Sequence, residues 1–127
     1  MHRLLSVSLL GLALLSGCRS PTFPELDDTF DGVLQPQGVA FHQFVVQHPG
    51  DLNVTVTKFE PLNTVTFGVG IGVVDGNTNT CVVTSAATGR VNTPGLLSVG
   101  AGTYCVQLSD TGNVTQEVTY TIKLRHF

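Results

Sequence analysis

Four stretches of this chain alternate between apolar and polar or small residues with a period of two. Leu52, Val54 and Val56 alternate with Asn53, Thr55 and Thr57. Val65, Phe67, Val69, Ile71 and Val73 alternate with Thr66, Gly68, Gly70 and Gly72. Tyr104, Val106 and Leu108 alternate with Thr103, Cys105 and Gln107, and Val118, Tyr120, Ile122 and Leu124 with Thr119, Thr121, Lys123 and Arg125. Side chains on a strand point to opposite faces in turn, so each stretch predicts a strand with one apolar face. Weaker patterns predict further strands around 29–34, 39–46, 81–85 and 96–99.

The segments between them carry turn residues. Pro49-Gly50-Asp51, Glu60-Pro61, Asp75-Gly76-Asn77, Thr93-Pro94-Gly95, Gly100-Ala101-Gly102 and Asp110-Thr111-Gly112-Asn113 supply glycine for positive φ, proline for a fixed φ, and Asx side chains for local hydrogen bonds. About eight short strands with one apolar face each must bury those faces against one another. The expected fold class is all-β, an antiparallel two-sheet sandwich. Gly68, Gly70 and Gly72 line one face of the longest strand. That strip is either a flat backbone surface open to a ligand, or a place where a side chain or loop packs.

Composition agrees with strands. Only 12% of residues are charged and 7% aromatic, with no Trp, while Gly numbers 14. The formal net charge is −3. No basic patch interrupts it, which excludes nucleic acid as a partner on electrostatic grounds.

The first residues follow a different pattern. His2 and Arg3 precede an apolar run from Leu4 to Leu15, too short to span a bilayer as a mature helix. The run ends in Leu15-Ser16-Gly17-Cys18, which resembles the lipobox of bacterial lipoproteins. The resemblance implies a signal peptide over 1–17, cleavage before Cys18, and lipidation of Cys18 with more than one acyl chain, palmitate being typical. Two or more chains hold a protein firmly at a membrane, where one does not. Arg19 stands where an Asp would mark inner-membrane retention, so the resemblance implies the outer membrane of a Gram-negative cell. The segment 18–28 is expected to be a solvated tether, with Pro21 and Pro24 disfavouring a helix and Glu25, Asp27 and Asp28 facing water. Its alternative is that the later part joins the fold as an edge strand. The sandwich is then expected over 29–127, in a single domain.

Within that body, Gly102-Thr103-Tyr104-Cys105-Val106-Gln107-Leu108, the turn Asp110-Thr111-Gly112-Asn113, and Val118-Thr119-Tyr120-Thr121-Ile122 resemble the closing strands of bacterial pre-peptidase C-terminal domains. Phe41 to Val46, Pro49-Gly50 and Leu52 to Val56 are similar to the early strands and glycine turn of that family. The resemblance covers roughly residues 28–126. It implies a small jelly-roll-like sandwich of the kind appended to exported proteases, although no protease domain precedes it in this sequence.

With Cys18 taken by lipid, Cys81 and Cys105 remain as an even pair in an exported protein, where disulfides persist. Cys105 lies opposite the Tyr104/Val106/Leu108 face. A disulfide across strands on the outer side of one sheet is therefore expected, the alternative being two free, partly buried thiols. No C-x-x-C spacing or clustered His accompanies them, which argues against a metal site.

Candidate chemistry is sparse. His42 shares strand parity with Phe44 and Val46 and is expected at a core edge; His48 and His126 are scattered. Asp75, Asn77 and Asn79 place oxygens at alternate positions, as at the start of a calcium loop, yet Thr80 and Ala86 stand where such a loop needs Gly and Glu. Asp110 and Asn113 form a second turn of this kind. Hairpin turns are the preferred reading of both, and calcium is the only cofactor they suggest. Neither G-x-S-x-G nor H-E-x-x-H occurs, and no pair of strand-borne carboxylates is placed for glycoside hydrolysis. The expectation is a non-catalytic envelope lipoprotein with an interaction or structural module, its partner an envelope protein or extracellular ligand. The alternative is a calcium-assisted ligand-binding module for carbohydrate or matrix protein. Against carbohydrate, the sequence has no Trp, and Tyr104 and Tyr120 both fall on expected core faces.

Overall fold

The fold was analysed in a computed structural model that describes residues 22–127. Eight strands run in chain order: β1 (Leu26–Leu34), β2 (Val39–Val46), β3 (Gly50–Glu60), β4 (Phe67–Asp75), β5 (Thr80–Gly89), β6 (Gly95–Val99), β7 (Gly102–Ser109) and β8 (Val118–His126). They form two four-stranded antiparallel sheets, ordered β1-β8-β3-β6 and β2-β7-β4-β5. Except for the β4–β5 hairpin, every connection carries the chain from one sheet to the other. The two-sheet sandwich is the one that the alternation predicted, and its strand order is that of a jelly roll.

The apolar faces close on one core. Leu52, Val54 and Val56 of β3, Val106 and Leu108 of β7, and Val118, Tyr120, Ile122 and Leu124 of β8 are all buried in it, with Phe44, Val46, Phe67 and Ile71 from the second sheet. Each fully buried side chain of this kind contributes roughly 1.5–3 kcal/mol relative to exposure.

Two departures from strict alternation have local causes. Val56 pairs with Ile122 but Lys58 pairs with Thr121, so Thr57 is an extra residue in β3. That bulge reverses the parity of the strand, turning Lys58 outward and Phe59 into the core, where Phe59 stacks on Phe67 with ring centroids 4.4 Å apart. In β5, Ile71 pairs with Ser85 and Gly72 with Val83, which leaves Thr84 as the extra residue. Its hydroxyl donates to the Ile71 carbonyl at 3.2 Å. Beyond this bulge Val73, expected in the core, is 51% exposed beside its equally open partner Val82.

The expected boundary at residue 29 moves. β1 begins at Leu26 and pairs along its whole length with β8, from Leu26 opposite His126 to Leu34 opposite Val118. Leu26, Asp27 and Asp28 thus belong to an edge strand and not to a tether. The acids read as solvating instead join the strands. Arg125 Nε donates to Asp27 at 3.0 Å and lies 3.5 Å from Glu25, Thr121 donates to Asp31, and His126 Nε2 lies 2.7 Å from Asp28 Oδ2. The leader and Cys18 lie outside the described residues.

Candidate functional site

Each sequence-level candidate has a definite place. Cys81 and Cys105 form a disulfide, with Cα atoms 6.0 Å apart. Cys105 pairs with Gly72 and Cys81 with Val74, so the bridge crosses the outer face of β4 and links its two neighbours, β5 and β7. Cys105 is fully buried there although it faces away from the core. The glycine strip on the same face is filled by side chains: a Cβ on Gly68 would meet the Ser109 hydroxyl, and one on Gly70 would sit 2.7 Å from a Val83 methyl. The strip is a packing surface, not an open one.

The five calcium candidates lie at opposite ends of the second sheet. Asp75 pairs with Thr80 at one end of β4, while Asp110 follows Ser109, which pairs with Gly68 at the other end. Both groups make turns. Asp75 Oδ1 accepts from the Asn77 amide at 2.9 Å, and Asn79, at φ 50°, donates its amide to the Asp75 carbonyl. Asp110 is saturated by backbone: Oδ2 accepts from Gln37, and Oδ1 from Gly112, Asn113 and Val114, at 2.8–3.0 Å. These amide donors, Gln37 and Val114 foremost, hold its carboxyl below the ordinary range. Asn113 turns its amide nitrogen, a donor, to the Thr66 carbonyl and hydroxyl. Among the described residues no three His, Cys, Asp or Glu side chains gather as metal ligands.

The histidines are separately engaged. His42 stacks on Phe30, with centroids 4.8 Å apart, and its Nε2 is hydrogen bonded to the Tyr120 hydroxyl at 2.7 Å. Phe30 belongs to β1 and His42 to β2, so this stack closes one side of the sandwich where the two edge strands meet. Burial lowers the His42 pKa, and Asp31 opposes the shift. His48 stacks on Phe23 outside the sheets. His126, at 1% exposure, is the one buried histidine among the described residues, and its burial was not expected from the sequence. Its pairing with Asp28 resembles the base–orienter half of a hydrolase site, but a sealed ring whose Nδ1 faces the Phe127 carbonyl at 3.4 Å has no access to a substrate. Tyr104 packs against the core and donates to the Gly100 carbonyl, and Tyr120 is buried, so neither offers a sugar platform.

The opposite side of the sandwich is open. Here the edge strands are β5 and β6, and the chain crosses between them through Arg90–Pro94. Val91 packs on the core, and the Asn92 amide donates to the Val56 carbonyl at 2.8 Å. Beside this crossing lies a cleft of about 140 Å³ whose walls are core residues: Val54, Val56, Phe67, Val69, Ile71 and Leu97. The cause is in β5. Ser85, Ala87 and Gly89 pair with Ile71, Val69 and Phe67 and share their inner face, but are too small to reach the other sheet. Leu96, on the rim, is 70% exposed. Arg90 also borders the cleft and is the only charged residue between Asp75 and Asp110. Val54, Val56, Phe67, Val69 and Ile71 were expected as core faces, but none of these residues was expected to line a site. The signal lay in the small residues of 85–89, four of which fall beyond the strand expected over 81–85, whereas β5 continues to Gly89.

A broader, polar trough of about 480 Å³ lies on the outer face of the first sheet, lined by Thr29, Asn53, Thr55, Thr57 and Lys123. Its Arg125 is already committed to Asp27 and Glu25. The apolar cleft is therefore the stronger candidate, because it exposes core surface that water solvates poorly. No protein-family model matches the sequence, and no curated protein matches it.

Proposed function

We propose that this chain is a cell-envelope lipoprotein, held at a membrane by acyl chains on Cys18, whose β-sandwich is a non-catalytic binding module with the cleft between β5 and β6 as its contact surface. The observation that carries the reading is the cleft itself. One side of the sandwich is sealed by Phe30 on His42, while the other has an apolar cleft lined by Phe67, Ile71, Val54 and Val56 and bordered by one charge, Arg90. The lipobox-like Leu15-Ser16-Gly17-Cys18 supports the anchor, with the outer membrane as its site. The two-sheet sandwich accords with the resemblance to pre-peptidase C-terminal domains.

Only seven residues separate Cys18 from Leu26, the start of β1. Fully extended they reach about 25 Å, so the domain works close to the lipid surface. The partner is an envelope protein or a ligand brought to that surface. A carbohydrate or matrix ligand aided by calcium has less support, since the carboxylates proposed for the ion serve turns.

Mass spectrometry of the membrane fraction tests the anchor. The wild type is expected to lack residues 1–17 and carry a diacylglyceryl group at Cys18, and Cys18→Ser to carry none. A wild-type protein without lipid overturns the anchor. Binding is tested with benzene as a probe of the cleft in the detergent-solubilised protein: the methyl resonances of Ile71 and Val54 should shift in the wild type and not in Ala87→Phe.

A further inference from the structure

We propose that an extended segment of another polypeptide adds to β5 as a fifth strand of the second sheet, antiparallel to it, with an apolar side chain in the cleft and an acidic residue at Arg90. The proposal rests on the reading of the cleft as the contact surface and names what enters it.

Three observations converge on this occupant. The first is the state of the edges. An edge strand exposes unpaired N–H and C=O groups, and proteins guard such edges with charge, proline or a covering element. On the closed side β1 carries Asp27, Asp28 and Asp31, and the Phe30–His42 stack joins it to β2, the uncharged edge of the second sheet, so that each covers the other. β5 runs ten residues, TCVVTSAATG, with no charge and no proline, and pairs only with β4. Ser85 to Thr88 are exposed. The bulge at Thr84 lies at mid-strand and leaves 85–89 regular.

The second is missing volume. A strand laid outside β5 places alternate side chains on the inner face, next to Ser85, Ala87 and Gly89, over the cleft. A cavity of about 140 Å³ takes one aromatic ring or a branched aliphatic group. A second copy pairing through its own β5 supplies only Ser85, Ala87 and Gly89 at those positions and leaves the volume empty. The occupant is therefore a different sequence with large apolar residues at alternate positions.

The third is charge. All nine acids lie outside the stretch 76–109, and Arg90 is its single charge. Among the described residues no ion pair engages Arg90. In an antiparallel arrangement the N-terminal end of the added strand lies beside Gly89 and Arg90, so the complementary acid belongs at that end. Backbone pairing supplies affinity, and the filled cleft and the ion pair supply register.

The test uses the mature lipoprotein in detergent micelles and a short acetylated peptide that begins with Asp and then alternates Thr with Val and Phe. Binding is read by fluorescence anisotropy, and its place by amide hydrogen exchange. The expected result is slowed exchange at Ser85–Thr88, with affinity about tenfold weaker for Ala87→Phe, which occupies the cleft, and for Arg90→Glu. A peptide beginning with Lys should restore binding to Arg90→Glu. Slowed exchange outside β5, unchanged affinity in both variants, or no binding overturns strand addition. The benzene shift separates the two readings: if it persists while the peptide fails, the cleft stands and the strand falls; if Ala87→Phe leaves the shift unchanged, both fall.

Discussion

The imidazole of His126 and the carboxylate of Asp28 meet at 2.7 Å, linking the last residues of the final strand to the first strand. The ring is 1% exposed, while the Asp28 side chain is 39% exposed, so the histidine depends on this partner more than the aspartate does. Asp28→Ala leaves a buried ring nitrogen without a partner, a loss of roughly 1–3 kcal/mol. Urea denaturation should show it as a lower midpoint. Asp51→Ala, which removes only an exposed bond to Ser98, should change the midpoint far less.

His42 makes stability depend on pH. Burial places its folded pKa below the ordinary 6.5, so the unfolded chain takes up the proton first as the pH falls. The contribution is complete above pH 6.5 and declines as the pH drops through 6.5 toward the folded value. Wild type should melt lower at pH 5 than at pH 7, and His42→Phe should show a smaller difference between the two. Equal differences in both proteins would remove His42 as the cause.

The Cys81–Cys105 bridge closes a loop with a sequence separation of 24. In the chain-entropy model such a cross-link stabilises by ~3–4 kcal/mol. The double variant Cys81→Ala/Cys105→Ala should unfold at correspondingly lower urea, and reductant should shift the wild type toward it while leaving the variant unchanged.

The extra residue in β3 is equally specific. Deleting Thr57 removes the bulge and leaves Lys58 opposite Thr121 and Phe59 opposite Tyr120, so simple alternation still turns Phe59 inward. The expected loss is well below that of Phe59→Ala, about 3–5 kcal/mol. Urea midpoints check this: a deletion as costly as Phe59→Ala would show that the bulge itself holds Phe59 in the core.

Eight strands, the core faces of β3, β4, β7 and β8, and the disulfide were legible in the sequence because period-two alternation and paired cysteines are local signals. The inward turn of Phe59 was not, since a single inserted residue changes parity without changing composition. The joining of Leu26–Asp28 to the fold was legible only as the alternative to a tether: acids on an exposed strand face look like acids on a tether until Arg125 and His126, about a hundred positions away, are brought opposite them. The cleft escaped notice for a related reason. Ser85, Ala87 and Gly89 define a void only in relation to Val54 and Leu97 on the other sheet.

The pairing of β1 with β8 also decides how the fold bears mechanical load. With the proposed anchor and partner, tension would enter at Leu26, on one margin of the first sheet, and leave from the opposite margin, beside β6. The force then runs across the strands and peels β1 from β8 one rung at a time, beginning where Leu26 faces His126. The Asp27–Arg125 and Asp28–His126 contacts sit at that first rung and the next two. The acidic residues of β1 are thus the rivet at the point where a pull on the N-terminal side would start to open the domain.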